Sequence, residues 1–277
     1  MLFMRHDGPM TATPRTARER ARATFTADLL DAARARLVAD GAAGLSLRAV
    51  ARDLGVASSA VYRYVASRDA LLTLLIIEAY DAVGAVCEDA AAAARGRGEP
   101  PAQVWLAVGQ AFRAWALTNP RSYELIYGTP VPGYAAPQDT VAPATRIWAV
   151  IIGIVLDAHA DGSLEPVGPG FDAEGLVDPG ALEFAAALAA APGRVTALAD
   201  RPGWSAWEAV RSFTLFVCLV GAVTAELFGH FHKVTADPAR AFDAILATAA
   251  AGGGLRVDLG RGSPRRVDDR GTAGPGR

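Results

Sequence analysis

Lysine is all but missing from this chain, with Lys233 alone against 26 arginines. Alongside so much alanine and glycine, the imbalance reads as the coding bias of a GC-rich genome and excludes no function. Cysteine is nearly as scarce. Cys87 and Cys218 lie in apolar, helix-like surroundings without metal-site spacing, which argues against a disulfide framework and fits a reducing cytoplasm. Of the four histidines, only His230 has a carboxylate one helical turn away, Glu226, and that half-site has no third ligand. Gly96-Arg97-Gly98 lacks the lysine and the following helix of a phosphate-cradling loop, and no Gly-x-Ser-x-Gly elbow is present. No metal, no cofactor and no enzymatic activity are therefore expected. Nor is a signal peptide, since the apolar start Met1 to Met4 is short and His6 to Arg22 is polar. The longest uncharged apolar run, between Arg211 and Glu226, is fourteen residues, short of the ~18 needed to span a bilayer. The chain is not expected in a membrane.

What the chain does have is apolar content and an uneven distribution of charge. At 52% apolar residues it can bury a sizeable core. The net charge of −2 conceals a basic front, because residues 1–70 carry eleven arginines against seven acids and the remainder is correspondingly acidic.

Within that front, Leu45 to Leu72 spells a helix, a tight turn and a second helix. Ser46 is placed to cap a helix over Leu47 to Leu54, with Leu47, Val50, Ala51 and Leu54 on one face. Gly55 can end it in the left-handed conformation, and Val56 can plug the angle. The second helix, Ser58 to Tyr64, turns Ala60 and Val61 inward and leaves Ser58, Ser59, Tyr62, Arg63 and Tyr64 outside. Hydroxyls, a cation and two aromatics on a short helix suit the major groove of double-stranded DNA.

Through S-x-R-x-V-A-x-x-L-G-V, then V-Y-R-Y-V and S-R-D-A-L-L, the stretch resembles the amino-terminal domain of the tetracycline-repressor (TetR) family. The resemblance implies that Arg48 and Tyr62 hold phosphates and that Ser58, Ser59, Arg63 and Tyr64 lie on the reading helix, with Ser46 at its approach. Arg68, a further expected DNA contact, stands where the family most often has lysine, so a planar fork replaces a point charge. A subgroup of the family carries a tryptophan and a His-Gly pair ahead of a Glu-Leu-Phe-Gly-His segment. This chain keeps Glu226 to His230 and Gly221 but has Phe216 and Val220 where the other two would fall.

The rest of the chain reads as helices in series. A first helix from about Arg18 to Asp40, stopped by Gly41 and Gly44, scaffolds the hairpin, behind a basic mobile arm over Thr11 to Arg22. A fourth helix, capped by Ser67, runs to about Arg95. A fifth opens at Pro101 and ends at Asn119-Pro120, and here aromatics gather. Trp105, Phe112 and Trp115, followed by Tyr123 and Tyr127, form either plain core or the wall of a pocket for a small hydrophobic or aromatic effector. Gly128 to Pro143 reads as a loop, and Asp161 to Gly203 as a covering segment or lid around a short alanine-rich helix, about Ala181 to Ala191. Residues 147–156 and 213–225 are apolar all round, so each is expected to offer one face to the core and another to a second copy.

The fold class expected is all-α: an amino-terminal three-helix helix-turn-helix domain plus a larger helical regulatory and dimerisation domain. Its divisions are an arm (1–16), the DNA-binding domain (17–66), the ligand-binding and dimerisation domain (67–251) and a disordered tail (252–277). What the resemblance implies is a cytoplasmic homodimeric repressor on a palindromic operator, released by an effector. The alternative is a helical ligand-binding or enzymatic protein whose hairpin is only structural.

Overall fold

The computed structural model describes residues 16–165, 173, 175–189 and 206–260. Every regular element among them is helical: α1 (Ala17–Gly44), α2 (Leu47–Asp53), α3 (Ser58–Val61), α4 (Arg68–Gly96), α5 (Pro101–Thr118), α6 (Pro120–Tyr127), α7 (Val141–Asp161), α8 (Pro179–Ala189), α9 (Ala206–Leu227) and α10 (Pro238–Gly252), with a 3₁₀ turn at Gln138–Thr140. They form two compact units. The described residues of Met1–Ala82 and Asn119–Ala144 make the first, and those of Val83–Thr118 and Thr145–Arg277 the second.

In the first unit, α1 begins at a capping box. The Thr16 hydroxyl accepts from the Glu19 N–H at 3.2 Å, and the Glu19 carboxylate accepts from the Thr16 N–H at 2.8 Å. The helix thus opens at Ala17, beside the start expected near Arg18, and takes in the end of the Thr11 to Arg22 stretch also expected to be mobile, with the Thr-x-x-Glu spacing as its signal. Residues 1–15 of that arm lie outside the described residues. Gly41, at φ 69°, breaks α1 where its composition predicts. Leu29 and Ala33 of α1 enter a core with Leu45, Leu47, Val50, Val61, Val65, Leu71, Leu72 and Leu75, on which Leu125, Val131 and Tyr134 also pack. Residues 119–144 and the first half of α4 therefore belong with the hairpin's core.

In the second unit, α5 turns Trp105, Val108, Phe112 and Ala116 into the core. It packs closely on α10: a Cβ added at Gly109 would lie 2.1 Å from Leu246 Cδ1. The buried indole N–H of Trp105 donates to the Leu246 carbonyl at 3.1 Å. On α7, Ile147, Val150 to Leu156 and Ala158 are all buried within this chain. That overturns the expectation of a free face on residues 147–156; the all-round apolar surface is consumed internally. α9 differs. Leu215, Leu219 and Val223 point inward, while Phe213 (36%), Val217 (64%) and Phe228 (51%) remain exposed, with Gly221 between them.

The tail also departs from expectation at its start. Gly253, Gly254 and Leu255 are buried, the Glu165 N–H donates to the Gly254 carbonyl, and Arg211 donates to the carbonyls of Glu165 and Gly253. Residues 261–277 lie outside the described residues, as does most of the segment around α8. Among the described residues three helical stretches, Arg68–Gly96, Gln138–Asp161 and Ala206–Leu227, are by length and composition apolar enough to cross a membrane. A count of uncharged runs alone misses them, because a window of that length tolerates a charge or two. In their most apolar windows 44%, 50% and 28% of residues are buried inside the chain, so α9 is the least covered.

Candidate nucleic-acid interface

The turn between α2 and α3 forms as its residues dictate. Gly55 sits at φ 67°, its N–H donates to the Arg52 carbonyl, and the Val56 N–H reaches back to the Ala51 carbonyl at 3.0 Å. This paired closure satisfies two carbonyls that the end of α2 would otherwise leave open. Val56 is half-buried against the core, as its place in the angle predicts. The helix α3 is shorter than the expected Ser58 to Tyr64. After Val61 the chain tightens, with the Arg63 N–H donating to the Ala60 carbonyl and the Tyr64 N–H to the Val61 carbonyl. Such i to i−3 bonds tighten the last turn and let Val65 return to the core.

Two arginines fix this hairpin to its neighbours. Arg36 of α1 holds Asp53 of α2 in a two-point contact, Nε to Oδ2 at 2.5 Å and Nη2 to Oδ1 at 2.6 Å. The guanidinium's hydrogen bonds lower the Asp53 carboxyl below its ordinary value. Arg68 opens α4 and reaches across the α1–α2 junction, donating from Nη2 to the Ala42 carbonyl at 2.8 Å and from Nε to the Leu45 carbonyl at 3.2 Å. Arg68, expected among the DNA contacts, is here engaged as a latch on backbone. Nothing in the sequence spacing pointed to these carbonyls, which become available only because Gly41 breaks the helix.

The remaining expected contacts share the surface of the hairpin. Arg48, Ser59, Tyr62, Arg63 and Tyr64 are exposed; Ser46 and Ser58 are half-buried. Ser46 stands at the N-cap of α2 but its hydroxyl makes no cap hydrogen bond, and only its carbonyl serves the helix, accepting from Val50. Ser67 does cap α4, accepting from the Ala70 N–H. The charges are sorted. Arg34 pairs with Asp31 and Glu78, and Arg36 with Asp53 and Asp40, whereas Arg48 and Arg63 have no carboxylate partner among the described residues. Cations left unneutralised on an exposed helix-turn-helix face are what a polyanion requires. The sequence did not reveal Phe25 and Arg22 of α1, both of which meet the Tyr64 ring.

The five aromatics expected to line a pocket fall in two groups. Trp105, Phe112 and Trp115 belong to α5 in the second unit, all buried. Tyr123 and Tyr127 belong to α6 in the first, where Tyr127 meets the edge of Tyr80 and Tyr80 donates to the Ile126 carbonyl. A groove of about 260 Å³ in the first unit runs past Leu37, Gly41 to Ala43, Leu125 and Thr129 to Pro132, and none of the five lines it. In the second unit Glu226 is held by Arg113 through two bonds of 2.7 and 2.5 Å. Gly229, at φ 75°, closes α9 with the His230 N–H on the Ala225 carbonyl. The Glu-Leu-Phe-Gly-His segment is thus an ion pair and a helix stop. No group of three His, Cys, Asp or Glu that could hold a metal occurs among the described residues.

Comparison with known proteins covers most of the chain. Residues 29–75 match the family model described as "Bacterial regulatory proteins, tetR family", and residues 105–249 the one described as "Tetracyclin repressor-like, C-terminal domain". The HTH-type transcriptional regulators Rv1816 of Mycobacterium tuberculosis and Mb1846 of Mycobacterium bovis are each 37% identical over 257 residues, 85% of this chain and 95% of theirs. Among solved structures, the regulatory protein SCO4313 is 33% identical with a TM-score of 0.62, over 86% of this chain and all of that one. A Rhodococcus protein of unknown function, 22% identical with a TM-score of 0.58 over 82% of this chain and 93% of its own, shares the fold.

Proposed function

Because this chain belongs to the TetR family of bacterial regulatory proteins and is a DNA-binding transcriptional regulator, we propose that it is a cytoplasmic homodimeric repressor which leaves a palindromic operator when a small apolar effector binds. The observation that carries the dimer is α9, whose Phe213 and Val217 stay exposed, with exposed Phe228 just past its end, while the equally apolar α7 is covered within the chain. A twofold axis through that face buries it and presents two reading helices, which asks for half-sites one helical turn apart or more.

On the DNA, Arg63 reaches base edges from the turn that follows α3, with Ser58 and Ser59 close to the groove floor and Tyr64 beside it, while Arg48, Tyr62 and Ser46 hold the backbone and Arg68 steadies the hairpin beneath them. The test is operator selection from a random duplex library, followed by titration of variants. Arg63→Ala should lose about 1–3 kcal/mol and relax the preferred sequence, whereas Arg48→Ala should weaken all sequences alike and flatten the salt dependence. Unchanged operator binding by folded Arg63→Ala removes α3 from the groove.

The effector is the second half of the proposal. Its candidate contacts fall in two separate groups, Trp105, Phe112 and Trp115 in the second unit and Tyr123 and Tyr127 in the first, and the few charges in either favour a largely hydrophobic or planar aromatic molecule. α4 is continuous from the Arg68 latch in one unit to Gly96 in the other, and displacement along it is the route by which occupancy would reach the reading helix. Linkage requires that such an effector bind operator-bound protein more weakly, by the factor by which it weakens the operator. A thermal-shift screen of aromatic compounds followed by operator titration tests this. Compounds that raise the melting temperature yet all leave operator affinity unchanged refute effector control.

A further inference from the structure

Phe25 of α1 packs on the hairpin's core and also meets Tyr64, and the arginine beside it keeps its charge unspent. Phe25 and Arg22 lie three residues apart and so share one face of α1. The Phe25 ring sits 4.3 Å from the Tyr64 ring, tilted by 36°, and the Arg22 guanidinium carbon lies 5.9 Å from the centre of the same ring. Tyr64 is 37% exposed and follows Arg63 directly. Arg22 is exposed and has no carboxylate partner among the described residues, in contrast to Arg34 and Arg36 further along α1. An aromatic face attracts a cation and orients it without neutralising it, so the guanidinium keeps its N–H groups for a second partner.

We propose that Arg22 is a phosphate-holding residue flanking the reading helix, and that Tyr64 acts as the platform that positions it and not as a reader of bases. Phe25 fixes the ring from α1, the ring fixes Arg22, and the guanidinium meets the DNA backbone beside the groove that α3 enters. A flexible arginine elsewhere on α1 would have to be immobilised on binding; this one is held beforehand. The proposal rests on the reading of α3 as the groove helix, and it takes Tyr64 out of the set of base contacts.

The experiment measures affinity against salt for two probes: a 30-base-pair duplex of random sequence, which reports phosphate contacts alone, and the operator selected from a library. Arg22→Ala should lower the slope of log affinity against log salt by about 0.9 per protomer on both duplexes and leave the base preference unaltered. Tyr64→Phe, which keeps the ring, should match the parent. Tyr64→Leu, which can still pack on Phe25, should reproduce the loss seen in Arg22→Ala, and the double variant should be no worse than either. An unchanged slope in Arg22→Ala overturns the proposal, as does a changed base preference or a further loss when Tyr64→Leu is added to it. Arg22→Ala alone decides the matter if Tyr64→Leu melts early. Should Arg48→Ala and Arg63→Ala weaken binding while Arg22→Ala does not, this inference falls and the groove reading stands; should none of the three matter, the groove reading itself falls.

Discussion

Replacing Arg68 by methionine separates the two candidate roles of that residue, backbone latch and phosphate contact. Methionine keeps much of the stem but removes the donors to the Ala42 and Leu45 carbonyls. A hydrogen bond to a charged group contributes about 1.5–3 kcal/mol when shielded, and a carbonyl left dry costs about as much. The Arg68 side chain keeps a third of its surface in water, and Ala42 is only half-buried, so part of each loss is recovered by solvent. The sum expected is about 2–4 kcal/mol, localised at the α1–α2 junction. At 1.36 kcal/mol for each tenfold, amides of residues 41–54 should exchange about 30- to 900-fold faster in Arg68→Met than in the parent. Arg68→Lys, with one point donor where a fork is needed, should fall between. DNA binding should drop in both because the hairpin is displaced, and the salt slope should stay near that of the parent. Unchanged exchange rates with a salt slope lower by about 0.9 would refute the latch and return Arg68 to the phosphate backbone.

Gly221→Trp tests the dimer cleanly, because nothing lies within 4 Å of a Cβ at that position and the protomer has room for the new side chain. Light scattering should show monomers with a parental helical spectrum and weak operator binding; a wild-type monomer at micromolar concentration would overturn the α9 interface. Burial, aided by neighbouring Glu88, pushes the Cys87 thiol up to about 12, so it carries almost no thiolate at neutral pH. Iodoacetamide at pH 8 should leave Cys87 unmodified in native protein and label it in denaturant, as mass mapping would reveal; rapid native labelling would contradict the packing of α4.

Much of the first unit was legible in the residues. The Gly-Val turn, the Ser67 cap and the break at Gly41 each follow from local chemistry, and local chemistry forms them. Thr16 and Glu19 carry an equally local signal, hidden by the basic residues around them. What no local pattern encodes is partnership across distance. Arg36 and Asp53 are seventeen residues apart and Arg68 and Ala42 twenty-six, so their donors and acceptors meet only after the chain has turned. The apolar helices show the same limit. Residues 147–156 and 213–225 look alike in composition, and only the surrounding helices decide that α7 is covered while α9 keeps a face in water. The arginines proposed to face DNA were named from the resemblance, but the sorting of cations into those spent on carboxylates and those without one depended on the fold.

The first unit is assembled from two stretches of chain, and this bears on how the protein is made. The ribosome has made everything through Ala82 before Leu125, Val131 and Tyr134, which pack on the hairpin's core, have been synthesised. At ~5–20 residues per second the wait to residue 144 is about 3 to 12 s. For that interval the nascent hairpin exposes a leucine-rich flank, and it is in this window that a chaperone would find it. The same topology limits recombination: a DNA-reading half transplanted into another regulator with a cut at residue 66 or 82 would leave its own roof behind, and grafts should travel with residues 119–144 included.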